Sequence, residues 1–200
     1  MITLNDIVVG YNKPLMKPLS YTFESGKIYG VLGKSGCGNS TLLKTIAKMH
    51  KPLSGNIKRD DEHQIYMMHQ RYTNFNWLSC LDNVLIAERN RRKRKESESH
   101  AKEVLEQVGL GEYLDRYPTE LSGGMQQRLA LARVLFVKPH YLLMDEPLSA
   151  LDDSTRAKMQ QLIMDIHKET NNTIIMVTHS VDEANKMCDK IIKLNEGERV

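Results

Sequence analysis

Apolar positions alternate with polar ones at the start of the chain, through Ile2, Leu4 and Val8, and predict a strand that ends near Tyr11. Asn12-Lys13-Pro14 reads as a turn, and Tyr21-Thr22-Phe23 alternates again. Glu24-Ser25-Gly26-Lys27 turns into a second apolar run, Ile28, Tyr29, Val31 and Leu32. The period then lengthens. Leu42, Leu43, Ile46 and Ala47 are spaced like one face of a helix, and Lys51-Pro52-Leu53-Ser54-Gly55 closes that unit. Short strands are expected at residues 56–58 and 64–68.

The pattern changes between about residues 72 and 133. Strand signals vanish, and helical patterns cover residues 81–87, 101–108 and 126–135. Tyr141-Leu142-Leu143-Met144 is apolar without a break, as in a parallel strand buried on both faces. Met159, Leu162, Ile163 and Ile166 form an amphipathic helical stripe; residues 173–177 and the Ile191-Ile192 pair read as further strands. Strand–helix alternation predicts an α/β class with a mainly parallel sheet and helices on both faces. One domain is expected, with an α/β core over residues 1–71 and 134–200 and an inserted helical lobe over 72–133.

Composition narrows the setting. A net charge of +3 favours no particular partner, and three scattered cysteines (Cys37, Cys80, Cys188) suit a reducing compartment better than a disulfide framework. No apolar run is long enough to span a bilayer, and Met1 to Asp6 lacks a basic stretch followed by an apolar one. The expectation is a cytoplasmic domain whose membrane role, if it has one, comes through a partner.

Chemistry concentrates first in Gly33-Lys34-Ser35-Gly36-Cys37-Gly38-Asn39-Ser40-Thr41, between a strand and a helix. Glycines let backbone N–H groups point inward, and a helix N-terminus adds partial positive charge, which together cradle phosphates. The Ser40 hydroxyl stands where Mg²⁺ takes an oxygen ligand. Against the pattern G-x-x-x-x-G-K-[ST], Asn39 occupies the lysine position. An amide donates a hydrogen bond but neutralises no charge. Losing a charge-assisted bond costs about 1.5–3 kcal/mol, and losing a transition-state donor costs on the order of 10²–10³ in rate. Lys34, near the start of the loop, is expected to point away from the β- and γ-phosphates.

Leu121-Ser122-Gly123-Gly124-Met125-Gln126-Gln127-Arg128 is the second anchor, a Ser-Gly-Gly turn opening a helix with free N–H groups. This octapeptide resembles the signature of ATP-binding cassette (ABC) ATPases. The resemblance runs in family order from Tyr11 to His179, over nearly the whole chain. It implies ATP and Mg²⁺ as cofactors, with Ser40, Gln70 and Asp145 serving the metal. Glu146, the second of the two carboxylates that end the apolar strand from Tyr141, is the implied general base; strand alternation is expected to aim it opposite to Asp145. His179 resembles the histidine that contacts the γ-phosphate, and Tyr11 lies where the family stacks an aromatic ring on adenine.

The family implies two cassettes meeting head to tail, each ATP held between one phosphate loop and the Ser122-Gly123-Gly124 turn of the other. Asp152, in Ser149-Ala150-Leu151-Asp152, resembles the loop that crosses to that second ATPase subunit, expected to be a copy of this chain. Transmembrane permease subunits are the implied partners, which places the chain on the inner face of the membrane; no nucleic acid is expected. Met125-Gln126-Gln127-Arg128 is similar to importer ATPases. The segment from Asn76 to Val84 resembles the nitrate, sulfonate and taurine branch, where Trp77 either lines a permease groove or packs the lobe. Residues 55–70 are short for the family, as for a trimmed antiparallel edge. Cys37 either is a reactive thiol that nucleotide protects or simply fills a tight turn. The basic run from Glu88 to Lys95 reads as a solvated helix face, with lipid contact next and a nucleic-acid patch as the third alternative. Two functions follow: a transporter ATPase slowed by Asn39, or a non-hydrolysing nucleotide-responsive module derived from one.

Overall fold

The computed structural model describes residues 1–33, 36–60, 63, 65–69, 74–88 and 94–194, without the side chains of 94 and 95. Within these lie eight strands and six α-helices. The chain divides into two compact units.

The first unit comprises Met1–Met67, His140–Glu146 and the described residues from His167 on. Strands β1 (Ile2–Val8), β2 (Leu19–Phe23) and β4 (Ser54–Arg59) form an antiparallel sheet in the order β2-β1-β4. A second sheet takes β3 (Ile28–Leu32), β5 (Ile65–Met68), β6 (Tyr141–Asp145), β7 (Thr173–Thr178) and β8 (Lys190–Lys193), in the order β5-β6-β7-β3-β8. Its β6–β7, β7–β3 and β3–β8 pairs are parallel. Strands β3, β6 and β7 are buried at every residue, which is why their sequences run apolar without alternation. Helix α1 (Asn39–Ile46) packs on β6 and β7, burying Leu42, Leu43 and Ile46. These join Ile2, Leu4, Phe23, Tyr29 and Tyr141 in one core, each large side chain contributing about 1.5–3 kcal/mol on burial.

Strand β1 stops at Val8 instead of reaching Tyr11. The Val8 and Val9 carbonyls are taken by the N–H groups of Leu53 and Leu15, and a Cβ at Gly10 would stand 2.1 Å from the Lys13 carbonyl oxygen. Only glycine lets the chain turn there. Helix α6 (Val181–Met187), which the sequence pattern did not announce, begins at a Ser180 cap that accepts the Glu183 N–H.

The second unit comprises Met68–Pro139 and Pro147–Ile166. Helices α2 (Cys80–Leu85), α3 (Arg94–Gln107) and α4 (Gly123–Val137) pack on one another through Val84, Val104, Leu105, Leu129 and Leu131. Residues 129–135 of α4 are buried without interruption, apolar on every side except at Arg133, whose guanidinium lies over the Phe75 ring. It ends where Lys138 adopts φ 45° ahead of Pro139. Helix α5 (Asp153–Thr170) starts in this unit, capped by Asp152.

Candidate nucleotide site

In the first unit, β6, β7 and β3 are neighbours, with Asp145 opposite Val177 and Leu32 opposite Thr178. The segments leaving their C-terminal ends therefore emerge at one edge of the sheet. Ligands of open α/β sheets bind there. The three segments carry Gly33 and residues 36–38, Glu146, and His179.

The loop from Gly33 bends through Gly36 and Gly38, at φ 86° and 100°, values open to glycine at little cost. Gly38 caps α1 with no side-chain bond, and the first turn of α1 carries no acidic residue. Its leading N–H groups are thus left for an anion, and the donor set fits a phosphate. Asn39 does not extend outward as a long cation would. Its Nδ2 donates to the Gly33 carbonyl at 3.0 Å, and its Oδ1 accepts from Cys37 Sγ at 3.2 Å. A Cβ at Gly33 would stand only 2.5 Å from Asn39 Oδ1. The amide thus clasps the loop and supplies no charge to a ligand. Cys37 is buried beneath it, which agrees with a small residue filling a tight turn. Thr41 is buried, and its carbonyl accepts from Thr45 Oγ1 at 2.7 Å.

Asp145 is the last residue of β6 and is buried. Glu146 corrects the expectation of strand alternation. Its N–H extends the ladder by one bond to the Val177 carbonyl, at 3.0 Å, and its backbone then turns to φ 49°. Side-chain direction is set by this left-handed conformation, outside the strand. Oε1 of Glu146 lies 3.8 Å from His179 Nδ1. The backbone on either side of His179 is held by two hydrogen bonds: Thr178 Oγ1 accepts from Ser180 N–H, and Ser180 Oγ caps α6. An anionic oxygen beside an imidazole can accept a proton from water and hold it near a second titratable group.

Tyr11 is exposed and meets the His50 ring at 4.9 Å between centroids, while His50 Nε2 contacts the Gly10 carbonyl oxygen at 2.7 Å. Ser35 and Gln70, and with them Lys34 and residues 89–93 of the basic run, lie outside the described residues.

In the second unit, Ser122 caps α4, its Oγ accepting the Met125 N–H at 3.3 Å. Leu121 is buried, and the turn beyond it is open: a Cβ at Gly123 would meet nothing within 4 Å. Among the described residues no contact demands glycine there. The Asp152 carboxylate accepts the Thr155 N–H at 3.0 Å, and hydrogen bonding from Thr155, hydroxyl first and backbone next, holds it below the usual carboxylate range. Trp77 is 73% exposed at the tip of a turn held from beneath by Asn83. Asn83 is completely buried: its Oδ1 accepts the Phe75 N–H, and its Nδ2 donates to the carbonyls of Phe75, Leu78 and Ser79. Sequence reasoning passed over Asn83, though a lone amide inside Leu-Asp-Asn-Val-Leu was a signal available to it.

A parallel sheet carrying a phosphate loop, a strand-end carboxylate pair and a facing histidine at one edge defines a nucleotide-binding ATPase domain. The chain belongs to the ABC transporter family, whose model matches residues 16–149. Among curated relatives, the taurine import ATP-binding protein TauB of Ruegeria pomeroyi is 40% identical over 195 residues, 94% of this chain and 72% of its own length. The nitrate transport protein NasD of Klebsiella oxytoca is 38% identical, over 91% of this chain and 73% of its own. Among solved structures, the dimeric bacterial ABC transporter cassette MJ0796 superposes with a TM-score of 0.85 at 29% identity, covering 97% of this chain and 94% of that one. A second MJ0796 dimer, bound to ADP and Pi, gives 0.86 at 28% identity and covers 100% and 97%.

Proposed function

We propose that this chain is the ATPase subunit of an ABC importer, working as a dimer on separate permease subunits, with its hydrolytic rate held low by Asn39. The observation that carries the reading is the 3.8 Å approach of Glu146 Oε1 to His179 Nδ1 at the ends of neighbouring parallel strands. A module that had lost hydrolysis altogether has no need of a left-handed backbone at Glu146 to reach that histidine.

In this reading the backbone of Gly33, Ser35, Gly36, Cys37, Gly38, Asn39, Ser40 and Thr41 holds the phosphates, and Tyr11 offers its exposed ring to adenine. Ser40, Asp145 and Gln70 are hard oxygen donors of the kind Mg²⁺ takes, and the bound ion supplies charge neutralisation on the phosphates. Glu146 accepts the proton of the attacking water, and His179 holds the γ-phosphate side. Leu121, Ser122, Gly123, Gly124 and Asp152 act on the partner subunit's nucleotide; the open space at Gly123 supports this.

Import is supported by the names of relatives, which are taurine, aliphatic sulfonate and methionine import ATP-binding proteins. These are small solutes bearing a sulfonate or carboxylate group, and the choice among them belongs to subunits other than this chain. Among the described residues no helix is long and apolar enough to cross a membrane, which supports attachment through a permease on its inner face.

Steady-state hydrolysis with excess Mg²⁺ and ATP, compared between this chain and Asn39→Lys, tests the proposal. A rise on the order of 10²-fold or more is expected. Equal and substantial rates would refute the account of Asn39, and two inactive proteins that still bind ATP would favour the non-hydrolysing module.

A further inference from the structure

Helix α4 buries one uncharged polar side chain near its start. Gln127 is 1% exposed, among leucines and alanines. Burying an amide is unfavourable unless its hydrogen bonds are made. Oε1 of Gln127 accepts the N–H of Ala150 at 3.1 Å, a bond that spans 23 residues of sequence. One turn earlier, Gly124 lies against the same loop, since a Cβ there would stand 3.3 Å from the Ala150 carbonyl oxygen and 3.4 Å from Leu151 Cδ2. From the other side Arg156 of α5 donates to the carbonyls of Leu148, at 3.5 Å, and Leu151, at 2.5 Å. All of these residues belong to the second unit.

The loop before Asp152 is therefore strapped from two helices. Its link to α4 begins five residues past Ser122, the cap of the open Ser122-Gly123-Gly124 turn. Both segments are exposed at their tips, at Ser122, Gly123, Ala150 and Asp152.

We propose that Gln127 is a positioning residue that locks the Ala150–Asp152 loop to the signature turn, so that the two are presented to a second copy of the chain as one preformed surface. This rests on the proposed function only in taking that surface as the one that meets the partner. Preforming it lowers the ordering entropy lost on association. The bond itself involves neither nucleotide nor the reacting atoms.

The test uses as parent the Asn39→Lys chain carrying Glu146→Gln, whose loss of turnover lets ATP persist through the measurement. Monomer affinity is read with a fluorescent ATP analogue and Mg²⁺-ATP-driven dimerisation by sedimentation equilibrium. Gln127→Met, similar in volume but without the acceptor, should leave monomer affinity within about 2-fold and weaken dimerisation by about 10-fold or more. Gln127→Glu keeps an oxygen for the Ala150 N–H but buries a carboxyl, so it should recover dimerisation to within about 3-fold of the parent only as pH is lowered and the carboxyl is neutralised. A merely structural role predicts no such rescue. If the parent dimerises and Gln127→Met matches it, the inference falls while the proposed function stands. If the parent does not dimerise with ATP, both fall. Hydrogen exchange on the unvaried chain gives a reading that no folding failure can obscure: the Ala150 amide should be protected about 10-fold or more over a free loop amide. Exchange at the free rate overturns the inference.

Discussion

The amide of Asn39 spans the phosphate loop to the carbonyl of Gly33, at 3.0 Å, closing from within the turn that a nucleotide would enter. The residue at the lysine position thus retains a structural task while contributing no charge. Its clasp is worth about 0.5–1.5 kcal/mol by the usual net value of such a bond. Asn39→Ala should accordingly lower nucleotide affinity about 2- to 10-fold below that of this chain, in a fluorescent-nucleotide titration. Unchanged affinity would show that the loop keeps its form without the clasp.

Glu146 and His179 make a second prediction. In the Asn39→Lys chain, Glu146→Gln preserves shape and hydrogen bonding but removes the proton acceptor. Hydrolysis should fall on the order of 10²-fold or more while nucleotide affinity stays nearly constant. Loss of binding in parallel with rate would assign Glu146 a structural role.

Gly123 sits in a helix with nothing near its missing Cβ. Gly123→Ala should therefore fold normally and gain up to about 1 kcal/mol in helix propensity. Dimerisation of the Asn39→Lys chain carrying Glu146→Gln should nonetheless weaken, because the methyl group fills space that the proposed dimer gives to the partner's nucleotide. Thermal melting and sedimentation together check both halves.

Asn83 holds the turn beneath Trp77 through four hydrogen bonds. Asn83→Ala strands a buried N–H and several carbonyls, at a cost of about 2–4 kcal/mol. The unfolding midpoint should drop accordingly. Trp77 is the only tryptophan, so its fluorescence reports the turn directly. Emission should be solvent-like and readily quenched by iodide, and a bound permease should shield it.

Alkaline pH acts through two thiols, the buried Cys80 and the half-buried Cys188. Burial, with a smaller contribution from Glu120, pushes Cys80 up to about 11; burial, with Glu183 and Asp189, pushes Cys188 up to about 12. Burial also raises Tyr21 and Tyr29. In this range the unfolded chain binds fewer protons than the folded one, so stability falls with rising pH. The contribution of the thiols is fully present below pH about 9 and is lost progressively up to about 11–12. Replacing both cysteines by alanine should flatten this part of the curve in chemical denaturation from pH 8 to 11, and a curve of unchanged steepness would assign the effect to the tyrosines.

The order and kind of most elements were set by local sequence. Apolar period two gave β1 and β2, unbroken apolar runs gave β6 and β7, and the 3.6-residue stripe through Met159 and Ile166 gave α5. Candidate chemistry was equally local: a Gly-rich loop, a Ser-Gly-Gly turn and a carboxylate pair are each encoded within nine residues. Helix α6 escaped because seven residues hold too few turns for a periodic signal.

What tertiary structure alone decided depends on partners distant in the chain. Glu146 leaves its strand in a left-handed conformation, its N–H held by Val177 on the neighbouring strand. Gln127 looks like any helical glutamine until folding places Ala150 against it, and Asn83 like any surface amide until four backbone groups close around it. Asn39 shows in sequence only that a charge is missing; its return to Gly33 follows from the bend at Gly36 and Gly38 that brings the carbonyl within reach. Periodicity and short motifs record which face of an element is buried. The direction of a single polar side chain is fixed by the particular donor or acceptor that packing brings to it.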